Sequence, residues 1–256
     1  MTLPSKSKNK APSRFIDCKN CSMQAICQPI GSEDQSIDLS NNYLTKRIEI
    51  SAEQNASQHL NQAAGAKLFE QAKPLTAIFA VCSGTFKLTQ KNEEGIEKVI
   101  GFRFPGELIA EDALFLESYN YSAVALGDNS VCEVFVEKLS ACSKLAPQLQ
   151  LNLIRLLTKQ SYQQQCNSQA LVGKKSAESL LAAFLLNICQ RSAKHSGNSA
   201  KLSLTISRHD IACFLGMRRE TLSRLLSKLQ QEQLIKISGK QLSLLAIDTL
   251  RQLANN

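Results

Sequence analysis

Cys18, Cys21 and Cys27 fall within ten residues, in the run Cys18-Lys-Asn-Cys21-Ser-Met-Gln-Ala-Ile-Cys27. Thiols spaced C-x2-C-x5-C form a chelate for a soft metal that still lacks a fourth ligand. Zinc accepts four cysteines, and so does a 4Fe–4S cluster; spacing alone leaves both open. Far along the chain a second chemistry-bearing group stands in Met217-Arg218-Arg219-Glu220-Thr-Leu-Ser223-Arg224, with Arg208 a few residues upstream. Arg can pair with guanine O6 and N7, and Glu can accept from cytosine N4. These are the residue types of a base-reading helix. The three histidines, His59, His195 and His209, are widely spread, and none stands with a nucleophile and an acid. His209 lies where it could meet a DNA phosphate. No Gly-rich nucleotide loop of the GxGxxG or Walker type occurs. The chain is therefore expected not to be an enzyme, and an iron–sulfur electron carrier is the alternative from a different class.

The elements that hold these groups follow from composition and periodicity. With 256 residues, 43% of them hydrophobic and 20% charged, the chain has room for one or two domains with real cores. The net charge of +8 is lopsided. From Gly173 onward 13 Lys and Arg stand against 5 Asp and Glu, while the first 172 residues carry 17 of each. Such a basic last third points to a polyanion partner, double-stranded DNA. The polar N-terminus has no apolar signal segment and no stretch spans a bilayer, so a cytoplasmic location is expected. Nine cysteines in a reducing compartment are then thiols or metal ligands.

Short runs with turn residues between them fill residues 44–139. They include Ala77-Ile-Phe-Ala-Val-Cys-Ser-Gly84, residues 85–90, the turn Lys91-Asn-Glu-Glu-Gly95, residues 96–104 and residues 131–136. They predict an antiparallel β-roll or barrel. From Pro147 to Val172 no Gly or Pro interrupts the chain. That stretch predicts one long helix, started by Pro147 and ended at Gly173. Its leucine-rich first half and polar second half make it a candidate homodimer seam, with Leu151, Ile154, Tyr162 and Gln165 on it. Residues 177–189 form an amphipathic helical pattern. In residues 207–229, Ser207 offers an N-cap and Gly216 a left-handed turn between two helices. Two strand-like runs around Ser238-Gly239-Lys240 then add a wing. The whole predicts an α+β chain: an N-terminal antiparallel β-roll, a long dimerisation helix and a C-terminal winged helix-turn-helix. The domains expected are 1–35, an N-terminal metal-binding segment; 36–146, a β-roll; 147–173, a dimerisation helix; and 174–256, a winged-helix DNA-binding domain.

Along nearly its whole length the chain resembles the FNR group of the CRP/FNR family of bacterial transcription regulators. The resemblance rests on the cysteine run, Ser83-Gly84, Ile100-Gly101-Phe102, Pro105-Gly106-Glu107-Leu108 and Val131-Cys132-Glu133. It rests also on Lys174-Lys175, Glu178-Ser-Leu-Leu-Ala-Ala-Phe184, Leu215-Gly216 and Glu220-Thr-Leu-Ser223-Arg224. It implies a β-roll of the cyclic-nucleotide-binding jelly-roll kind. It implies an oxygen-sensing 4Fe–4S cluster on Cys18, Cys21, Cys27 and Cys132, with Cys142 the rival for the fourth place. It implies a homodimer that binds a palindromic TTGAT-like site when the cluster is intact, controls anaerobic gene expression and works with RNA polymerase. The DNA-contacting residues it implies are Arg208, Arg218, Arg219, Glu220, Ser223 and Arg224. Cys82, Cys142, Cys166, Cys189 and Cys213 lack partners at chelating spacing and are expected to be buried thiols.

Three departures from the family pattern bear on function. Cyclic-nucleotide receptors pair the ligand phosphate with an arginine in a later Arg-Ser/Thr-Ala, and here Tyr121-Ser122-Ala123 stands instead. Cyclic nucleotide is therefore not the expected ligand, and Gly106-Glu107 reads as a structural turn. The residue before Glu220 is Arg219 rather than an apolar one, as in the CRP branch, which allows one more guanine contact. Gln165 stands near the place where some FNR proteins carry an acidic residue that opposes dimerisation without a cluster. Zinc or thiol redox signalling, or a small effector, on the same fold is the alternative reading.

Overall fold

The computed structural model describes residues 45–50, 65–137, 147–173, 176–196, 201–203, 205–239 and 241–255. Cys18, Cys21, Cys27 and Cys142 lie outside these residues, as does the expected segment 1–35.

Eight strands form two four-stranded antiparallel sheets. They are β1 (Thr45–Ile50), β2 (Lys67–Phe69), β3 (Ala77–Ser83), β4 (Phe86–Lys91), β5 (Glu97–Arg103), β6 (Leu108–Ile109), β7 (Ser122–Ala125) and β8 (Asn129–Phe135). One sheet runs β1-β8-β3-β6 and the other β2-β7-β4-β5. Alternation along the strands sorts side chains between two cores. Phe79 and Val81 of β3 and Val131 of β8 meet Phe69, Phe86, Leu88, Ala123 and Ala125 between the sheets. Ile78 and Ala80 of β3, with Val134 of β8, point the other way. Strand β3 is thus apolar on both faces. The turn after it needs Gly84, which has φ 83° beside the Asn129 side chain, whose Oδ1 accepts from the Thr85 amide at 2.5 Å.

The outer face of β3 and β8 is covered by a helix. After the short α1 (Ala113–Leu116), α2 spans Pro147–Gln169. It brings Leu153, Leu156 and Leu157 against Ile78, Ala80, Leu108, Cys132 and Val134. The expected helix ran to Val172; the regular part ends three residues earlier, in a turn that closes at Gly173 (φ 77°). The side chains of Leu151, Ile154, Tyr162 and Gln165 face outward, and the first three are 42%, 60% and 66% exposed.

The C-terminal third holds α3 (Ala177–Ser196), β9 (Lys201–Ser203), α4 (Arg208–Leu215), α5 (Arg219–Gln231), β10 (Ile235–Ser238), β11 (Gln241–Leu244) and α6 (Ile247–Asn255). Their shared core includes Leu181, Leu185 and Ile188 of α3, Ile211 of α4, Leu222, Leu226 and Leu229 of α5, and Leu250 of α6. Burying each such leucine is worth about 1.5–3 kcal/mol. Helix α6, and the pairing of strand β9 with β11, go beyond the elements expected from the sequence.

The roll contributes to that core. Phe102 of β5 is 1% exposed and makes edge contacts with Phe184 of α3 at 6.2 Å and Phe214 of α4 at 5.4 Å. Two ion pairs flank the aromatic contact. Lys87 of β4 reaches Asp210 of α4 at 2.7 Å. Arg191 of α3 grips both carboxylate oxygens of Glu107, at 2.8 and 2.7 Å, and also donates to the Phe102 carbonyl. Gly106-Glu107 does form a turn, with the Glu107 amide donating to the Phe104 carbonyl. Its carboxylate additionally binds the C-terminal part of the chain, a role with no signal in the local sequence. Burial acts to raise the Glu107 pKa, but the Arg191 guanidinium overcomes it and holds the carboxyl below its ordinary range. The folded pKa therefore lies below the unfolded one. The pair's stabilisation is complete above the unfolded value and is lost as pH falls through the folded one. Arg191→Met leaves a buried carboxylate without its counterion. It is expected to cost about 3–5 kcal/mol at neutral pH. The loss should shrink on acidification as the orphaned carboxyl takes up a proton, which urea unfolding of both proteins at neutral and acidic pH will check.

Candidate nucleic-acid interface and cysteine site

The basic helix is built in the order its sequence suggests. Ser207, in extended conformation, caps α4 by accepting from the Asp210 amide at 3.0 Å. Gly216, at φ 65°, ends α4, its amide donating to Cys213 and that of Met217 to Ala212. A β-carbon is disfavoured in that left-handed conformation. The chain then turns into α5 through Arg218, which is extended and offers no side-chain cap. Leu222, Leu226 and Leu229 anchor one face of α5. Arg219, Glu220 and Arg224 are left exposed on the other, with Ser223 half-buried between them.

Arg208, Arg218, Arg219 and Arg224 are all exposed, and none pairs with a carboxylate among the described residues. The open amides and positive dipole end of α5 add to these charges. The start of α5 thus offers donors of the kind a phosphate backbone takes, and Arg219, Glu220, Ser223 and Arg224 stand in its first two turns, the part of such a helix suited to base edges. The wing, β10 and β11, is a hairpin with Ser238↔Gln241 at its tip. His209 is also exposed, with Cys213 Sγ 3.6 Å from its Nε2.

Among the cysteines the structure departs from two expectations. Cys132 sits on β8 with its side chain packed against the apolar cluster of α2. Cys82, set apart in sequence as a buried thiol, is indeed buried, yet its Sγ lies 3.2 Å from that of Cys132. Strands β3 and β8 are neighbours, which no local spacing reveals. Cys166 and Cys213 are exposed rather than buried, while Cys189 is buried, its thiol pushed up to about 12 by burial. A half-buried thiol on a sheet face, with a second sulfur beside it, is a soft donor fit for an iron–sulfur cluster or zinc. No group of three metal-binding side chains occurs among the described residues.

A cavity of about 280 Å³ opens between the roll, α2 and the C-terminal core, lined by Arg103, Glu111, Asp112, Tyr121, Asn187 and Phe214 among others. Burial pushes the Glu111 carboxyl above the usual range, and Arg103, 3.5 Å away, offsets only part of that. Glu111 Oε2 and Asp112 Oδ1 are buried without a hydrogen-bond partner among the described residues. No motif in the local sequence marks Glu111. Tyr121 is buried and its hydroxyl accepts from the Ala110 amide at 2.8 Å. A neutral phenol therefore stands where a phosphate-binding arginine is expected in cyclic-nucleotide receptors.

Residues 181–253 match the Crp-like helix-turn-helix domain and residues 60–144 the cyclic nucleotide-binding domain. The chain is 33% identical to the transcriptional activator protein anr of Pseudomonas aeruginosa, over 89% of this chain and 88% of that protein. This chain belongs to the FNR group of the CRP/FNR family. It is a DNA-binding transcription regulator. It is 31% identical to the fumarate and nitrate reduction regulatory protein of Escherichia coli, covering 94% of this chain and 91% of that one. FixK2 from Bradyrhizobium japonicum shares the fold, with a TM-score of 0.67 over 82% of this chain and 97% of its own, at 22% identity. No helix among the described residues is long and apolar enough to cross a membrane.

The exposed start of α5 leads to a concrete expectation for Arg219. Arg219→Val is expected to remove about 1–3 kcal/mol of discrimination at one base position of the half-site. A uniform loss across sequences, with the salt slope reduced by about one, identifies a phosphate contact instead. Binding titrations on a panel of half-site variants at several salt concentrations separate the two.

Proposed function

We propose that this family member is an oxygen-responsive regulator of anaerobic gene expression. In this reading it holds a 4Fe–4S cluster through Cys18, Cys21, Cys27 and Cys132, and binds a palindromic TTGAT-like site as a homodimer. It acts on transcription with RNA polymerase and is not an enzyme. The observation that carries the reading is the position of Cys132. The candidate fourth ligand packs in the same apolar cluster as Leu153, Leu156 and Leu157 of α2. The names of the relatives, which include a fumarate and nitrate reduction regulator, support the anaerobic role.

When bound, the cluster supplies an oxygen-labile cross-link between the N-terminal segment and β8. The chain's own residues carry the consequence. Cys132 shares its sheet face with Val134, and α2 rests on that face through Leu156. A shift of β8 is thereby felt by α2 through direct contact. The opposite side of α2 offers Leu151, Ile154, Tyr162 and Gln165 to a second copy, at steps of three, eight and three residues that keep them on one helix face. A two-fold dimer then sets two α5 helices into successive major grooves. The polar second half of α2 leaves this seam weak, so a gap of a few kcal/mol is enough to tip it.

One observation favours a second reading, a small effector on the same fold: the unpartnered oxygens of Glu111 and Asp112 in the cavity. Isothermal titration of cluster-free protein with cyclic nucleotides tests the nearest case and is expected to show no binding, given Tyr121.

Anaerobically purified protein is expected to be coloured and to contain iron and sulfide near four of each per chain. It should bind operator DNA at least tenfold more tightly than air-exposed protein. A colourless zinc protein, or equal affinity in air, overturns the sensor reading. Ile154→Lys places a charge in the proposed seam. It is expected to leave each chain folded but monomeric in sedimentation, with DNA affinity reduced to the non-specific level.

A further inference from the structure

Two thiols that stand 50 positions apart in sequence meet on the roll, with Cys82 Sγ and Cys132 Sγ at 3.2 Å. Strand pairing explains the meeting. Ala80 faces Cys132 across the β3–β8 ladder, and the register shifts between Val81 and Ser83, at Cys82 itself. A bulge bends its strand and loosens the local ladder. Alternation along β3 places Cys82 on the side of Ile78 and Ala80, the side on which Cys132 meets α2.

As they stand, the two sulfurs are closer than two thiolates bound to one metal. Thiolates bonded at about 2.3 Å to one tetrahedral zinc stay roughly 3.8 Å apart. A 4Fe–4S cluster takes one protein thiolate on each of its four irons, which spreads its ligands further. A disulfide needs about 2.05 Å, so closing the remaining gap takes a movement of about 1.2 Å.

We propose that Cys82 and Cys132 are a peroxide-responsive modification site, forming a reversible disulfide that withdraws Cys132 from the cluster's ligands. The consequence for the cluster rests on the functional reading above; the disulfide itself does not. Cys132 is half-buried whereas Cys82 is 4% exposed, so Cys132 is the one a solute reaches first. Its sulfur attacks one oxygen of hydrogen peroxide. An S–O bond forms, the O–O bond breaks, and one water leaves, giving the sulfenic acid. The Cys82 sulfur then attacks the Cys132 sulfur. The S–S bond forms, the S–O bond breaks, and the departing hydroxide takes the Cys82 proton as a second water. The two thiols lose two electrons and two protons, and one peroxide gains them. A dithiol reductant reverses the bond by exchange.

The test uses the full chain, freed of metal and reduced, then treated anaerobically with one equivalent of hydrogen peroxide. Mass spectrometry of a non-reducing digest is expected to show the Cys82 and Cys132 peptides joined and two hydrogens lighter, and separated again by dithiothreitol. Cys82→Ser should abolish that species and leave Cys132 as a sulfenic acid trapped by dimedone. Peroxide-treated wild type should take up iron and sulfide only after dithiothreitol, whereas reduced wild type never exposed to peroxide loads without that step. Cys132 joined to Cys18, Cys21 or Cys27 instead, or both thiols oxidised separately in the wild type, overturns the proposal without reliance on any variant. A joined peptide in a protein that never loads iron overturns the cluster consequence and the cluster reading together, while the disulfide stands.

Discussion

Strand β3 carries Phe79 and Val81 on one face and Ile78 and Ala80 on the other. An antiparallel strand of a roll can leave one face to water, but not when both faces are apolar. The second face must be covered, and α2 covers it with Leu153, Leu156 and Leu157. That one burial requirement lays the long helix on the roll, beside Cys132. It also turns the other stripe of α2 to solvent, because a helix wide enough to bury one leucine face presents its remaining residues outward. The proposed sensor chemistry and the thiol pair therefore share one sheet face, and the proposed seam lies on the far side of the helix that covers it. They follow from the same packing constraint rather than from three separate devices.

The junction of roll and winged helix obeys a second constraint. Phe102 is part of the C-terminal core while its strand belongs to the roll, so neither part keeps its full packing alone. Polar pairs at this junction are partly buried and well made. Arg191 meets Glu107 through two oxygens and Lys87 meets Asp210. Breaking one partner of such a pair costs more than the pair contributes net, because a desolvated charge is left behind. The junction is thereby specific in geometry. Asp210 is also bound to the Ser207 hydroxyl that caps α4, so the contact with Lys87 bears directly on how the helix-turn-helix begins.

The recognition surface is arranged the opposite way. Its arginines are exposed and without carboxylate partners among the described residues, so no internal pair has to be broken before they engage an anion. Glu220 stands in the first turn of α5, where the helix dipole favours its charge. The apolar anchors Leu222, Leu226 and Leu229 hold the helix by its opposite, buried face. Substitutions on that face can change preference at little cost to the fold.

Much of this was written in local sequence. The N-cap at Ser207, the left-handed turn at Gly216 and the leucine spacing of α5 are short-range features, settled within a few residues by hydrogen bonding and backbone sterics. The start of α2 at Pro147, the hairpin after Lys91 and the wing around Gly239 are of the same kind. The lopsided charge pointed to a polyanion partner, which the Crp-like helix-turn-helix match supports, while the cysteine run lies outside the described residues. Tertiary structure decided what depends on strand neighbours and on which part of the chain covers which. Cys82 meets Cys132 because β3 and β8 pair across 50 positions. Glu107 serves Arg191 across 84 positions. Glu111, not Glu107, faces the cavity. Long-range pairing is selected by the burial of whole faces, a property of the assembled sheets that no window of sequence contains.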